Sequence, residues 1–155
     1  MLRGEFIFAS GLVVPNNITK FGAESILRGA MRGEALTFWV GLVDAAPDAD
    51  LLIENVTEPT IGTNGYARQQ LTQDATGWPT VGETNAEPYV ETDWLTWTAT
   101  GGDFDQATSR MMIVTSETDL TGDVFALSAA APTLAAVTPT TPEADRKFKY
   151  RVYLR

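Results

Sequence analysis

Three aspartates are the residues whose type and spacing point most directly to metal binding or catalysis in this sequence. Asp103 and Asp105 lie two residues apart in GGDFDQ, where a turn can present both carboxylates to a hard cation such as Ca²⁺. Together with Asp93, they can also be read as the carboxylate pair of a glycosidase. The twelve-residue calcium loop is absent, so we interpret GGDFDQ as a turn that leads into a strand, with Phe104 in the core. We predict neither a metal site nor glycan hydrolysis.

The absence of histidine and cysteine excludes several other chemistries. It removes thiolate nucleophiles, zinc sites of the Cys/His kind and the usual general base near neutral pH. A Ser–Lys pair would need Lys20, Lys147 or Lys149, and the last two lie on a predicted terminal strand. The glycine pairs in 29–33 and 62–65 lack the Lys-Ser/Thr that completes a phosphate loop. We therefore expect no enzyme activity and no cofactor.

The charge is acidic overall and unevenly distributed. The net charge of −9 disfavours nucleic acid as a partner, because phosphates repel an acidic chain. Residues 36–142 carry 2 basic and 15 acidic side chains, whereas residues 143–155 carry 5 basic and 2 acidic ones. The basic segment either pairs with the chain's own acidic sheet, which we favour, or docks on an acidic neighbour. The side chains considered for that contact are Arg146, Lys147, Lys149 and Arg151.

The N-terminal segment is apolar but is not predicted to be a membrane segment. No apolar run approaches the roughly 18–20 residues that cross a bilayer, so we expect no membrane partner. Phe6, Ile7 and Phe8 are consecutive, which fits a strand buried on both faces or an arm lying on a partner. Pro15 should end the pairing of this segment, because it has no N–H to donate. We predict an extended N-terminal arm over 1–15 and a single β-rich domain over 16–155.

The domain should begin with one helix. Ile18, Phe21, Ile26 and Ala30 recur at helical spacing and predict a helix over 18–32 that packs on a sheet through these side chains. Asn16 or Asn17 can cap its first turn, and Gly33 is a suitable end. A short helix capped by Asp48 or Asp50 is a further prediction.

The rest of the chain is predicted to be mainly β. Strand-like segments are separated by turns rich in Gly, Thr and Pro, with a strong turn signal at Asn64-Gly65. The long segments 72–88 and 130–142 are interpreted as a loop and an extended connection. The C-terminal strand should bury Phe148, Tyr150, Val152 and Leu154 on one face. The predicted strands span 36–43, 66–71, 89–99, 109–115, 123–129 and 147–154. The pattern indicates an antiparallel β-sandwich or jelly-roll-like domain with one N-terminal helix and a basic C-terminal strand.

Two isolated side chains are candidates for binding. Arg68 lies between Tyr66 and Gln70 on one strand face and can pair with a carboxylate inside the domain, which we favour, or across a subunit contact. Trp78, in the predicted loop, is a candidate surface platform for a sugar ring. Trp39, Trp94 and Trp97 lie in predicted strands and are interpreted as core residues.

The order of these segments is familiar. A helix in NNITKFGAESILRGAMRG precedes FWVGLVDAAPDAD, TEPTIGTNGYARQQL, an aromatic strand, GGDFDQATSRMMIVTS and LTGDVFALS. Over about residues 16–130, this pattern resembles a family of small tailed-bacteriophage virion proteins of the tail-fibre, head-fibre or capsid decoration type. Its most specific piece is GYARQ at 65–69, and Phe104 stands where the family usually has tryptophan. The resemblance implies a structural, non-enzymatic role, without deciding between head and tail.

The resulting hypothesis is a capsid decoration (cement) protein on the outer head surface. It would be made in the host bacterial cytoplasm and would bind the major capsid protein as a symmetric homo-oligomer, with a trimer favoured. The structural alternative is a tail, collar or fibre-base adaptor that contacts tail or collar proteins. A third alternative is a glycan-binding module for host attachment. The candidate interface residues are Phe6, Ile7, Phe8, Arg68, Trp78, Arg146, Lys147, Lys149 and Arg151.

Overall fold

The protein is mainly β, as its sequence predicts. A computed structural model describes residues 2–34, 36–44, 57–118, 123–129 and 137–154. The described strands are antiparallel and form one sheet in the order β4-β3-β8-β9-β2-β1-β10-β6-β5, with β7 also paired to β10. This sheet curls into a half-barrel, which is consistent with the predicted β-sandwich-like architecture. The elements are β1 (Leu2–Phe8), β2 (Val13–Ile18), α1 (Lys20–Arg32), β3 (Thr37–Val43), β4 (Gln69–Thr72), β5 (Thr80–Thr84), β6 (Glu87–Glu91), β7 (Leu95–Thr96), β8 (Arg110–Val114), β9 (Val124–Ser128), α2 (Glu143–Arg146) and β10 (Lys147–Leu154).

The segment predicted as an N-terminal arm is instead a central strand of the sheet. β1 pairs with β10 along its whole length and with β2 on its other side. Phe6 and Phe8 are fully buried. The ring centroid of Phe6 lies 5.4 Å from that of Phe148 and 4.7 Å from that of Tyr150. Of the two interpretations of this apolar run, the buried strand is the one observed, because its aromatic rings fill the concave side of the sheet.

Pro15 does not end pairing, contrary to the prediction. It lies within β2, opposite Glu5 of β1. On the other side of β2, the ladder with β9 begins at Asn16, and the Pro15 carbonyl accepts a hydrogen bond from the Ala129 N–H at 2.8 Å. The missing N–H therefore falls at the end of that ladder, where proline is tolerated.

Helix α1 is confirmed, but its cap and its buried face differ from the prediction. Thr19, rather than Asn16 or Asn17, caps it by accepting from the Gly22 N–H at 3.0 Å. A Cβ at Gly22 would lie 2.3 Å from the Phe125 carbonyl oxygen, so the glycine permits the close approach of α1 to β9. Phe21 is half-buried against the core, whereas Ala30 is exposed. The N-terminal half of α1 packs on the sheet. Its C-terminal half lies beside a groove in the surface, which is described below.

The predicted loop over 72–88 contains a β-hairpin. Strands β5 and β6 pair from Thr80↔Glu91 to Thr84↔Glu87. Asn85 and Ala86 form the connecting turn with φ of 53° and 62°, the left-handed conformations of a tight hairpin turn. An alanine at such a position gives no turn signal, which explains the error. The predicted turn at Asn64-Gly65 is confirmed, with φ of 50° and 84°.

The C-terminal strand β10 follows the predicted alternation until its end. Phe148, Tyr150 and Val152 are buried, but Tyr153 is buried and Leu154 is 60% exposed, the reverse of the expectation. Trp94 is 40% exposed and is not a core residue, whereas Trp97 is buried and Trp39 is half-buried. Phe104 is buried as predicted. The predicted helix after Asp48 or Asp50, and most of the predicted connection over 130–142, lie outside the described residues.

Candidate interaction surface

An apolar groove opens on one side of the half-barrel, between α1 and the β5–β6 hairpin. Its volume is about 500 Å³, a size typical of binding clefts. A shallower pocket of about 260 Å³ shares Ile26, Val81, Val90 and Val152 with it and continues it past Leu2 and Leu154. The apolar lining of the main groove consists of Ile26, Ala30, Phe38, Trp78, Val81, Val90, Phe125 and Val152.

The groove is bordered by apolar side chains that water reaches. Val81 is 79% exposed and Val90 is 36% exposed, although they face each other across the hairpin. Leu27 and Met31 of α1 are also exposed, at 59% and 81%, but they do not belong to the lining of the groove. Large exposed apolar patches on soluble proteins mark sites of interaction. The groove is therefore the candidate functional site of this chain.

Two carboxylates line the groove among the described residues, and one of them, that of Glu34, pairs with Arg32 at 2.9 Å. Glu34 and Asp74 belong to the lining, and Glu83 shares a face of β5 with Val81. The backbone N–H of Gly77 donates to Asp74 at 3.0 Å; this bond, and then a bond from Thr72, lower the pKa of Asp74. Asp74 is thus ionised near neutral pH, and the rim of the groove is negatively charged.

Strand β5 is an open edge beside this groove. It is the last strand in the sheet order, and no other described strand pairs with its outer side. Because a two-residue turn joins Thr84 to Glu87, those two residues form a hydrogen-bonded pair, and bonded and non-bonded pairs alternate from there. The backbone groups of Gly82 thus point to β6, and those of Val81 and Glu83 point outward. Pro88, opposite Glu83, fits this pattern because that position needs no N–H.

The opposite end of the sheet is covered. The indole Nε1–H of Trp97 donates to the Ala67 carbonyl oxygen at 3.0 Å, and the Gln69 side-chain amide donates to the Thr96 carbonyl oxygen at 2.5 Å. The Trp97 ring stacks on that of Phe148, with the ring centroids 5.0 Å apart. The two hydrogen bonds join β7 and Trp97 to β4 and to the residues that lead into it.

Arg68, a candidate interface residue, lies inside the chain. Its guanidinium donates to Glu58 through Nε at 2.9 Å and through Nη2 at 2.6 Å, and its side chain has no exposed surface. The Tyr66 hydroxyl donates to the same carboxylate at 2.5 Å, and burial followed by the Glu58 charge raises the pKa of Tyr66. The favoured interpretation of Arg68, an ion pair within the domain, is the arrangement observed.

The basic side chains of β10 pair with carboxylates of the same sheet. Lys149 Nζ and Arg151 Nε each lie 2.6 Å from a Glu91 carboxylate oxygen, and Arg151 lies 3.8 Å from Glu5. Glu91 is buried, and Glu5 is half-buried. The interpretation in which the basic segment pairs with its own acidic sheet is therefore the one that the structure contains.

Guanidinium groups also cover aromatic rings on this outer face. Arg3 lies 4.3 Å from the centre of the Tyr153 ring, and Arg151 lies 4.1 Å from that of Tyr89. These cation–π contacts explain why Tyr153 is buried although it faces away from the core.

The other candidate interface residues mostly have partners within the chain. Arg146 donates to the Trp97 carbonyl oxygen at 2.6 Å, and Lys147 pairs with Glu143 at 2.9 Å. Ile7 is half-buried on the outer face of β1. Of the predicted interface residues, Trp78 alone lines the groove.

Trp78 is not a free platform for a sugar ring. It is half-buried, packs against the core and meets the Tyr150 ring edge-on, with the ring centroids 5.7 Å apart. Its indole Nε1 is buried and has no hydrogen-bond partner among the described residues. The side chain forms a wall of the groove instead of a flat exposed surface.

Two of the three aspartates considered for chemistry have structural partners for their carboxylates. Asp105 accepts from the Thr60 N–H at 2.9 Å, and Asp93 accepts from the Trp94 N–H at 2.7 Å. Within the described ranges, no three Asp or Glu side chains come close enough to hold a metal ion.

Comparison with known proteins gives no relative from which to transfer a function. No family model, curated protein or solved structure matches this chain. Among the described helices, none is long and apolar enough to span a bilayer. The sequence pattern does not predict the groove, because the groove depends on the β5–β6 hairpin and the pattern predicts a loop there. The alternation of Val81 and Glu83 with small residues was the signal available for that hairpin.

Proposed function

We propose that this protein is a structural component of a tailed-bacteriophage virion that acts by binding other proteins. The observation that carries the binding role is the apolar groove, which lies beside an open strand edge. The virion context comes from the resemblance of residues 16–130 to small virion proteins, with GYARQ at 65–69 as its most specific piece. Tyr66 and Arg68 from that piece both bind Glu58, so its two most distinctive side chains stabilise the fold.

Within a virion, we favour a capsid decoration protein. It binds the outer surface of the head, contacts the major capsid protein and stabilises the shell as a symmetric homo-oligomer, with a trimer favoured. An exposed apolar groove suits this role because burying it against a partner supplies the main driving force of association. A tail, collar or fibre-base adaptor would use the same groove with other partners. The glycan-binding alternative has less support, because Trp78 is packed against Tyr150.

The copy number per particle tests this proposal. Particles released by the bacterium that carries the gene are purified, and the chain is quantified by mass spectrometry against the major capsid protein. Icosahedral decoration predicts on the order of hundreds of copies, and a ring around the tail axis predicts roughly 3 to 20. Hundreds of copies support the decoration role, a small multiple of three or six supports the adaptor role, and absence from purified particles overturns both.

A further inference from the structure

We propose that the groove binds an extended apolar segment of a partner polypeptide, which carries a basic residue and adds to β5 as a new strand. This inference deepens the proposed function by stating the chemistry of the partner, and it rests on that function for the partner being a virion protein. Three features of the described residues support it: the outward backbone groups of β5, the apolar groove beside them and the acidic rim.

The backbone of β5 offers a template for pairing. Val81 and Glu83 each direct one N–H and one C=O away from β6, which allows up to four hydrogen bonds to an added strand. Natural edge strands are usually protected by lysine, proline, a bulge or a covering segment. β5 has no lysine, proline or register shift, and its sole charged side chain is Glu83. Its edge is therefore suited to strand addition, in which main-chain bonds supply affinity.

The groove supplies the specificity of that pairing. Alternate side chains of an added strand would face the same side as Val81 and would enter the groove. There they would contact Ile26, Ala30 and Val90, all of which line it. An apolar side chain gains from this burial, whereas a polar one would lose hydration without gaining a partner.

The rim determines the charge of the occupant. Asp74 and Glu83 place negative charge at the rim of the groove, whereas the charge of Glu34 is balanced by Arg32 at 2.9 Å. A Lys or Arg next to the inserted apolar side chain is therefore favoured. The same charge disfavours a second copy of this chain. Antiparallel pairing of two β5 strands about Gly82 would place each Val81 opposite the other copy's Glu83 and bring two acidic rims together. The occupant is thus a different polypeptide.

The test is a selection from a displayed library of random dodecamer peptides against the full chain. We expect enriched peptides to alternate apolar and small residues and to contain at least one Lys or Arg. A peptide from the enriched set is then synthesised, and its affinity is measured by calorimetry for the wild type and for variants.

Two variants test separately the backbone hydrogen bonds of β5 and the apolar contacts inside the groove. Val81→Pro removes one outward N–H without removing a bond to β6, and Val81→Thr is the matched control that keeps the N–H. Loss of one hydrogen bond predicts about three- to tenfold weaker binding for Val81→Pro than for Val81→Thr. Ala30→Trp fills the groove from an exposed helix position and should reduce binding by more than about tenfold. Circular dichroism of each variant shows that the fold is kept.

The possible outcomes are distinct. Absence of enrichment, or binding that Ala30→Trp and Val81→Pro leave unchanged, overturns the groove proposal. Enriched peptides that are acidic overturn the charge assignment. Because peptide binding is measured without particles, a positive copy number with no peptide binding contradicts this inference alone. Peptide binding with no copies in particles contradicts the virion role alone.

Discussion

The two ends of the curled sheet face the same physical problem and solve it differently. Near β4, the Trp97 indole donates to the Ala67 carbonyl oxygen and the Gln69 amide donates to the Thr96 carbonyl oxygen. We call this contact between the β7 region and the β4 region the seam. At β5, no described strand or side-chain donor occupies the outward backbone groups, and the neighbouring Val81 is largely exposed. An unpaired strand edge must be covered, protected or used for pairing. The contrast teaches that one end of this sheet serves stability and the other is available for binding.

The largest expected effect belongs to the closed end. Arg68→Ala leaves the Glu58 carboxylate buried without its cation, and removing one partner of a buried ion pair costs about 3–5 kcal/mol. Urea denaturation followed by tryptophan fluorescence measures the loss. Lys20→Ala, which breaks the solvent-exposed pair with Glu24, is the control and should cost less than about 1 kcal/mol. Equal losses in the two variants would contradict the buried pair.

The seam itself can be weakened without removing its packing. Trp97→Phe keeps an aromatic ring against Phe148 but leaves the Ala67 carbonyl oxygen without its donor. Because Ala67 is an exposed residue, the expected loss is the net contribution of one hydrogen bond, about 0.5–1.5 kcal/mol. The same denaturation assay should show no comparable loss for Trp94→Phe, because Trp94 is partly exposed. If Trp97→Phe has the same urea midpoint as the wild type, the hydrogen bond from Trp97 to Ala67 does not stabilise the seam.

Alkaline pH should weaken the closed end through Tyr66. Burial, followed by the Glu58 charge, raises the pKa of Tyr66 in the folded chain, so folding favours the neutral phenol. The stabilisation is fully present below about pH 10, the pKa of an unfolded tyrosine, and is lost as the pH rises toward the raised value. Free energies of unfolding measured between pH 9 and 11 should fall more steeply for the wild type than for Tyr66→Phe. Parallel slopes would show that Tyr66 titrates normally.

The smallest expected change in stability lies at the open end. Val81→Ala removes two methyl groups from a largely exposed side chain, and such substitutions change the free energy of unfolding by less than about 0.5 kcal/mol. Thermal denaturation checks this. A loss above about 1 kcal/mol would mean that Val81 packs within the fold, and the contrast between the two ends would fail.

The sequence predicted local features better than long-range ones. Periodicity located α1 and the strands β3, β8, β9 and β10, because an amphipathic or apolar run determines its own conformation. It did not show that 2–8 is a central strand, since Phe6, Ile7 and Phe8 fit an arm equally well until β10 is placed beside them. The groove could not be predicted for the same reason: Ala30 of α1 and Val81 of β5 are far apart in sequence and line one groove only once the helix and the hairpin are placed on the sheet.

The ion pairs, like the strands, could be predicted only in part from the sequence. Arg68 is one of only two basic residues in the acidic middle of the chain, which indicated a structural pair, and the acidic sheet indicated partners for Lys149 and Arg151. The identities of those partners, Glu58 and Glu91, depend on the placement of distant strands. Charge composition therefore predicts that pairing occurs, and topology determines which carboxylate is used.

Residue-resolved hydrogen exchange of the free chain tests the central claim, that β5 is an open edge, most directly. We expect an alternating pattern, in which the Val81 and Glu83 amides exchange rapidly and the Gly82 and Thr84 amides, bonded to β6, exchange slowly. Protection of Val81 and Glu83 as strong as that of Gly82 and Thr84 would show that this edge is already covered, and would contradict the proposed binding site.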